Sequence, residues 1–332
     1  MSRKPPPPSS PDPGATTPPP VPNLGPSNVS PIAGVLADGP ALKQLDPGAA
    51  RWIATLIRVS SGHPAMGIIL DVVERLSDHP YRTNALLWGE PGTGKGGLGA
   101  ALAQLMAPGR PLVRLDIAGF PEDAALEVLC GRGNSPGAAE QAQGGFLLIE
   151  EVVGLPGRVQ QALLRLLKAG RCRRQGTDHE LPEKLQVGAI ALSDQDVPAA
   201  VAAGRLRHDL YWRLARVLLW LPPLRERLED LPASAVWMGN RILAAAGVPL
   251  TLHSSEDLVR ATSAERRRAL ELDATAVDEL RAHTWPGNFR ELEATIERAV
   301  LLYRRASLIG RAEVRAAISG GRSTLSTAPS DE

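Results

Sequence analysis

The chain is poor in residues that could cross-link it. It has two cysteines, Cys130 and Cys172, and neither lies in a C-x-x-C pair. That excludes a disulfide framework and points to a reduced, cytoplasmic setting. Six histidines are scattered without ligand spacing, so no zinc site is read from them. The formal net charge is +1, so no global field favours nucleic acid or a membrane surface. No segment reaches the run of about 18 apolar residues that a spanning helix needs. The opening MSRKPPPPSS is charged but has no apolar segment behind it, which excludes a secretory signal. No internal repeat is found. The 332 residues allow one large domain or two, and a hydrophobic content of 43% can supply a core.

Residues 1–47 are rich in Pro, Ser and Gly and cannot bury enough apolar surface to offset their ordering entropy. They read as a disordered tail with polyproline character, either a plain tail or a segment read by a proline-binding partner. Residues 48–231 alternate helical and apolar stretches. Helical spacing is seen in Ala49–Val59 and Pro64–Leu76. Apolar strand-like runs occur at Asn84–Trp88, Leu112–Asp116, Phe146–Ile149, Gln186–Leu192 and Val217–Leu221. Helical patterns at Leu98–Met106, Asp123–Leu129 and Arg158–Ala169 fall between them. Continuous apolar strands alternating with helices predict an α/β fold, a parallel sheet covered on both faces. Residues 232–318 read as a smaller unit of helices alone: Ala233–Ala246, Glu256–Leu272, Thr275–Ala282, Asn288–Tyr303 and Arg311–Ile318. Residues 319–332 read as a polar tail.

The chemistry centres on Gly89-Glu90-Pro91-Gly92-Thr93-Gly94-Lys95, which fits G-x-x-x-x-G-K between a predicted strand and a helix. Glycines let the backbone curl so that successive N–H groups face phosphate oxygens. The helix N-terminus adds partial positive charge and Lys95 a full one. Gly96 follows, where the usual pattern has Ser or Thr on magnesium. Read alone, the loop is either a phosphate cradle or a glycine-rich turn without a ligand. Gly144-Gly145-Phe146-Leu147-Leu148-Ile149-Glu150-Glu151 is an apolar strand ending in two carboxylates. Such strand ends gather beside the phosphate loop of a parallel sheet. One carboxylate can hold magnesium and its waters while the next orients or deprotonates an attacking water. The alternative is a pair of acids capping the following helix.

Three further stretches follow: Arg205-Leu206-Arg207-His208-Asp209-Leu210-Tyr211-Trp212-Arg213-Leu214, Leu221-Pro222-Pro223-Leu224-Arg225-Glu226-Arg227, and Trp285-Pro286-Gly287-Asn288-Phe289-Arg290-Glu291-Leu292-Glu293. Taken in this order with the phosphate loop, they resemble the central ATPase domain of sigma-54-dependent transcriptional activators, a branch of the AAA+ family. The resemblance spans roughly residues 64–302. It implies a P-loop AAA+ fold with a five-stranded parallel sheet and a helical lid, ATP and Mg as cofactors, and ring assembly with ATP between subunits. By position it implies that Gly89, Glu90, Pro91, Gly92, Thr93, Gly94, Lys95 and Gly96 form the Walker A loop and that Glu150 and Glu151 form the Walker B pair. It places sensor I at Ser193 and Asp194, trans arginine fingers at Arg207 and Arg213, and sensor II at Arg290. Arginine keeps its charge and forks onto phosphate oxygens, and a finger supplied across an interface ties hydrolysis to assembly. Each of these arginines also has the plainer reading of a surface ion pair.

The departures from the family pattern are specific. Its GAFTGA loop, which contacts sigma-54, should lie between a Leu-Phe-Gly and a Gly-x-Phe-Glu-x-Ala-x-Gly-Gly stretch. Here Leu129-Cys130-Gly131 and Gly137–Gly145 match those two, and only Arg132-Gly133-Asn134-Ser135-Pro136 lies between them. Walker B begins with Glu150 where Asp is usual, which moves the carboxylate by about 1.5 Å. Sensor I ends in Asp194 where Asn is usual, and Asp116 stands at a strand end where Asn is common. An ionised carboxylate cannot donate a hydrogen bond as an amide does, and extra acids repel a triphosphate. Arg311–Glu332 is too short for a helix-turn-helix reader, so no sequence-specific DNA binding is expected. The basic residues Arg165, Lys168, Arg171, Arg173 and Arg174, and Arg266–Arg268, read as solvated faces.

Three functions therefore stand open. The first is an oligomeric AAA+ ATPase that regulates transcription or remodels an unidentified protein partner. The second is a nucleotide-binding scaffold with weak or no hydrolysis. The third is a sigma-54 activator working through a surface other than the missing loop.

Overall fold

The computed structural model describes residues 63–78, 81–176, 184–304 and 306–322. The expectations for the N-terminal tail, the Ala49–Val59 helix and residues 323–332 lie outside these. In chain order the first unit contains α1 (Pro64–Asp78), β1 (Ala85–Trp88), α2 (Lys95–Met106), β2 (Leu112–Leu115) and α3 (Glu122–Cys130). It continues with β3 (Gly131–Arg132), β4 (Ser135–Pro136), α4 (Ala138–Gln141), β5 (Phe146–Ile149), α5 (Gly157–Ala169) and β6 (Gly188–Ser193). It ends with α6 (Val197–Ala202), α7 (His208–Leu214) and β7 (Val217–Trp220).

Five strands form one parallel sheet in the order β2-β5-β6-β1-β7. Alternate residues feed opposite faces, as the two-residue period of a strand requires. Leu86, Leu147, Ile149, Ala189 and Ala191 join one core with α3, α5 and α7. Ala85, Leu87, Phe146, Leu148, Ile190 and Leu192 join the other with α1 and α2. Burial on both faces explains why these strands read as unbroken apolar runs. The C-terminal ends of β1, β5 and β6 lie side by side, which brings the phosphate loop, the Glu150–Glu151 pair and Ser193–Asp194 to one edge.

The five residues between the two Gly-flanked stretches form a minimal hairpin. Gly131 pairs with Pro136 and Arg132 with Ser135, leaving Gly133 and Asn134 as the turn. Gly133 takes φ +52°, the left-handed conformation such turns require. The Gln175 backbone ties down the hairpin, donating to the Gly131 carbonyl at 2.8 Å and accepting from the Gly133 N–H at 3.0 Å.

The second unit has its own core, running from Leu224 to Ala317. It comprises α8 (Leu231–Ala245), β8 (Thr251–Ser254), α9 (Ser255–Arg260), α10 (Ser263–Arg266), β9 (Ala269–Leu272), α11 (Ala274–Ala282), α12 (Asn288–Tyr303), β10 (Leu308–Ile309) and α13 (Arg311–Arg322). Three expectations are corrected here. The unit is not purely helical, because β10-β9-β8 form a small parallel sheet. The single helix expected over Glu256–Leu272 is instead two short helices and a strand. The reason lies in the caps: Ser254 with Asp257, and Thr262 with Glu265, are capping boxes that start separate helices. Leu270 and Leu272 then alternate inward from β9 onto α8 and α12. The last helix also runs to Arg322, past the expected end at Ile318, so residues 319–322 are helical and not tail.

Candidate functional site

The phosphate loop is shaped by its backbone. Gly89, Gly92 and Gly94 have φ of +149°, +80° and +101°. A Cβ on Gly89 would meet the Leu221 carbonyl at 2.4 Å, and one on Gly92 would meet the Gly287 carbonyl at 2.4 Å. These glycines therefore permit both the curl and the close approach of the second unit. Thr93 is buried, and its hydroxyl donates to the Glu90 carbonyl at 2.9 Å.

Lys95, at the first turn of α2, is buried. Its Nζ donates to the Gly89 and Glu90 carbonyls, each at 2.8 Å, and pairs with Asp194 Oδ1 at 2.5 Å. It points into a cavity of about 570 Å³ between the two units. The first unit lines this cavity with Gly92–Gly96, Arg114, Asp116, Glu150 and Asp194, and the second with Arg227, Trp237, Arg241, Phe289, Arg290 and Glu293. Met66, Ile69, Leu98, Leu221 and Met238 add an apolar wall. A concave cleft with an apolar wall and a few converging charges is the usual form of a small-molecule site.

The two carboxylates that follow β5 part company. Glu150 faces the cavity, 3.5 Å from Arg114. Burial pushes its carboxyl above the usual range, and the nearby Asp116 and Asp194 push the same way, against Arg114 and Lys95. Glu151 takes φ +44°, a left-handed conformation uncommon outside glycine. Its carboxylate accepts from Ser193 Oγ at 3.1 Å, the Asp194 N–H at 2.7 Å and Gln195 Nε2 at 3.2 Å. Three bonds thus fix Glu151 to the end of β6. Among the described residues, no group of three or more His, Cys, Asp or Glu side chains is assembled to hold a metal. Glu150 with acidic neighbours suits a magnesium ion that keeps its waters and takes other oxygens from phosphate.

Arg290 lines the cavity from the start of α12. Arg207 is 46% exposed and forked onto Asp209, with Nε–Oδ1 of 3.0 Å and Nη2–Oδ2 of 2.9 Å. It is not part of this cavity lining. Arg213 is engaged within the subunit: Nε and Nη2 donate to the Leu167 carbonyl at 3.1 and 2.5 Å. The structure therefore brings Lys95, Gly92–Gly96, Glu150, Asp194 and Arg290 together, with Glu151 immediately behind Asp194. It does not bring Arg207 or Arg213 to the same cleft.

Several cleft residues were not singled out as site residues from the sequence. Asn288 is fully buried with φ +52°. Its Oδ1 accepts from the Leu224 N–H at 2.7 Å, while Nδ2 donates to the Pro91 carbonyl at 2.9 Å and Glu90 Oε2 at 3.2 Å. The next residue, Phe289, donates its N–H to the Gly92 carbonyl at 3.0 Å. Trp-Pro-Gly-Asn is thus a latch from the second unit onto the phosphate loop. Arg225 forks onto Glu90 at 2.8 and 2.5 Å and, ahead of Asn288, holds that carboxyl below its usual range. Arg227 is buried: its guanidinium donates to the Thr93 carbonyl at 3.0 Å and stacks 4.6 Å from the Phe289 ring. Burial brings its pKa down to about 10, against the pull of Asp230. The signal for all three was the pair of motifs Leu221–Arg227 and Trp285–Glu293, whose spacing gives no hint of what they touch.

A phosphate loop at the edge of a five-stranded parallel sheet, closed by a lid carrying an arginine, defines a nucleotide-site protein of the AAA+ class. A sigma-54 interaction domain model matches residues 59–219, and an AAA+ ATPase lid domain model matches residues 255–330. The chain belongs to the AAA+ family of sigma-54-dependent transcriptional activators. It is 32% identical over 252 residues to a Nif-specific regulatory protein of Azotobacter vinelandii, covering 73% of this chain and 44% of that one. It is 38% identical over 226 residues to nitric oxide reductase transcription regulator NorR1 of Cupriavidus necator, covering 65% and 40%. The chain thus spans less than half the length of these relatives. Among solved structures, NtrX from Brucella abortus in complex with ATP aligns with a TM-score of 0.64 and 27% identity, over 81% of this chain and 56% of that one.

Proposed function

We propose that the chain is an ATP-binding AAA+ protein. In this reading it assembles into a homo-oligomeric ring and acts on a protein partner of the transcription machinery in a nucleotide-dependent way. The observation that carries this is the convergence of Lys95, Glu150, Asp194 and Arg290 on one cleft between sheet edge and lid. The family match and the ATP complex of NtrX support the same ligand. The N–H groups of residues 92–96 and Lys95 Nζ would hold the phosphates, and Glu150, with Asp116 behind it, would hold magnesium through water. Arg290 would reach the phosphates from the lid. ATP supplies the phosphoanhydride bond that is cleaved. In this reading Glu151, held at the end of β6 by three hydrogen bonds, would orient and deprotonate water, with Asp194 beside it.

Arg207 is the stronger candidate for a finger offered to a neighbouring copy, because Arg213 already bonds the Leu167 carbonyl. A finger that acts only across an interface makes hydrolysis depend on assembly. A cytoplasmic setting agrees with the family. Among the described residues, no helix is long and apolar enough to cross a membrane.

The scaffold reading is favoured by one observation, the Lys95–Asp194 ion pair at 2.5 Å, which holds the phosphate-binding lysine on a carboxylate. The reading in which sigma-54 is contacted elsewhere has to work around the two-residue turn at Gly133–Asn134. Steady-state phosphate release measured against protein concentration, with Glu151→Gln and Arg207→Ala alongside, separates these. A steep rise with concentration that is lost in both variants supports the assembled ATPase. ATP binding with no release above the Glu151→Gln level leaves the scaffold. Open-complex formation with sigma-54 holoenzyme would restore the activator.

A further inference from the structure

The chain has only two cysteines, 42 positions apart, and the fold places them against each other. Cys130 ends α3 at the base of the β3–β4 hairpin, and Cys172 lies in the segment after α5. Both are free thiols, 2% and 3% exposed, and their side chains are hydrogen-bonded to one another. The Arg173 backbone N–H also bonds the Cys130 sulfur. The backbones on either side are tied together by the Gln175 bonds to Gly131 and Gly133. Both thiols line a cavity of about 300 Å³ shared with Leu126, Gln161, Arg165 and Gly176, roomy enough for a small oxidant.

We propose that Cys130 and Cys172 are a modification site: an oxidisable dithiol that a small hydroperoxide converts into an intramolecular disulfide, stapling the hairpin base to the 171–176 segment. The assignment does not depend on the nucleotide reading of the cleft. Two thiols that line one small cavity, on backbones tied by the Gln175 bonds, are neighbours from which such a bond can form. The roles of the two thiols differ. The Arg173 backbone acts on both sulfurs alike, but Cys130, receiving the Cys172 hydrogen bond, has its thiol held below the usual range, while donating to Cys130 and burial push Cys172 up. Cys130 is therefore the attacking sulfur. Its thiolate attacks one peroxide oxygen, the O–O bond breaks, and an alcohol or water leaves with the proton the thiol has shed. The product is the Cys130 sulfenic acid. Cys172 sulfur then attacks Cys130 sulfur; the S–S bond forms, the S–O bond breaks, and hydroxide leaves as water with the Cys172 proton. The two thiols give up two electrons and the peroxide accepts them.

The test uses the full reduced chain in its native state, treated with hydrogen peroxide, then alkylated in denaturant and mapped by mass spectrometry without reduction. The expected result is loss of both free thiols, a Cys130–Cys172 linked peptide pair lighter by two hydrogens, no linked dimer, and recovery of both thiols with dithiothreitol. Cys172→Ser is expected to stop at a Cys130 sulfenic acid that dimedone traps. The proposal is overturned if both thiols survive treatment, if they are lost without the linked pair, or if the link joins two chains. Mapping of the native chain decides the matter even where the serine variant does not fold.

Discussion

The two units that close the nucleotide cleft contribute to it in different currencies of structure. The α/β unit offers backbone: three glycines in left-handed conformations and a helix N-terminus, with Lys95 as its main side chain. The second unit offers side chains: Arg241, Phe289, Arg290 and Glu293 line the cleft from helices packed on their own core. A backbone cradle is preformed and binds phosphate wherever the lid stands. Side chains carried on a separate core bind only when that core is docked. Asn288 makes the docking itself, since it bonds the Pro91 carbonyl and Glu90 from the lid and the Leu224 N–H between the units. The lid is thus joined directly to the phosphate loop.

This contrast can be broken from either side. The largest effect is expected from Lys95→Ala, which removes the buried lysine of the cradle. ATP affinity should fall by about a hundredfold, near 3 kcal/mol, in a calorimetric titration. An affinity within a few-fold of wild type would mean that the backbone alone holds the phosphates. Asn288→Ala attacks the other side: it orphans the Leu224 N–H, frees the loop carbonyl and leaves alanine at φ +52°. Urea unfolding should show a loss of roughly 2–3 kcal/mol. Protease cleavage should appear first between residues 221 and 231, while the α/β unit stays folded.

A smaller effect of opposite sign is expected at Asp194. Asp194→Asn releases Lys95 from its ion pair and removes a charge facing the phosphates. Since Asp194 is half exposed, the gain in ATP affinity should be only several-fold, about 1 kcal/mol. Weaker binding in this variant would show that the carboxylate assists and does not compete. The smallest effect is a pH dependence. Burial and acidic neighbours raise Glu150, so it takes up a proton at a higher pH than an ordinary glutamate. A bound cation favours its charged form. Magnesium-dependent ATP binding should therefore weaken as the pH falls from about 7 towards 5, with proton release on binding seen in buffers of different ionisation heat. Glu150→Gln should flatten that dependence.

The α/β unit was largely legible in the chain. Ala85–Trp88 and Phe146–Ile149 are apolar at every position because both faces of the sheet are covered there, and such runs admit few other readings. The lid was legible only in its long helices. Ala269–Leu272 is short and buried only at alternate positions, so it falls inside the helix expected over Glu256–Leu272, and Thr251–Ser254 falls between two expected helices, although the Ser254–Asp257 and Thr262–Glu265 caps marked the breaks.

By itself, then, the sequence determined the phosphate loop, the order of the five sheet strands and the longer helices, and the shortened connection at Arg132–Pro136, because each is written in local spacing. Tertiary structure decided the rest. That Glu150 faces the cleft while Glu151 is tied to β6, that Lys95 rests on Asp194, that Asn288 latches lid to loop, and that Cys130 meets Cys172 are contacts between residues far apart in the chain. Such contacts depend on which strands become neighbours and which side chains share a buried space. No local pattern encodes that choice; the packing of the two cores makes it.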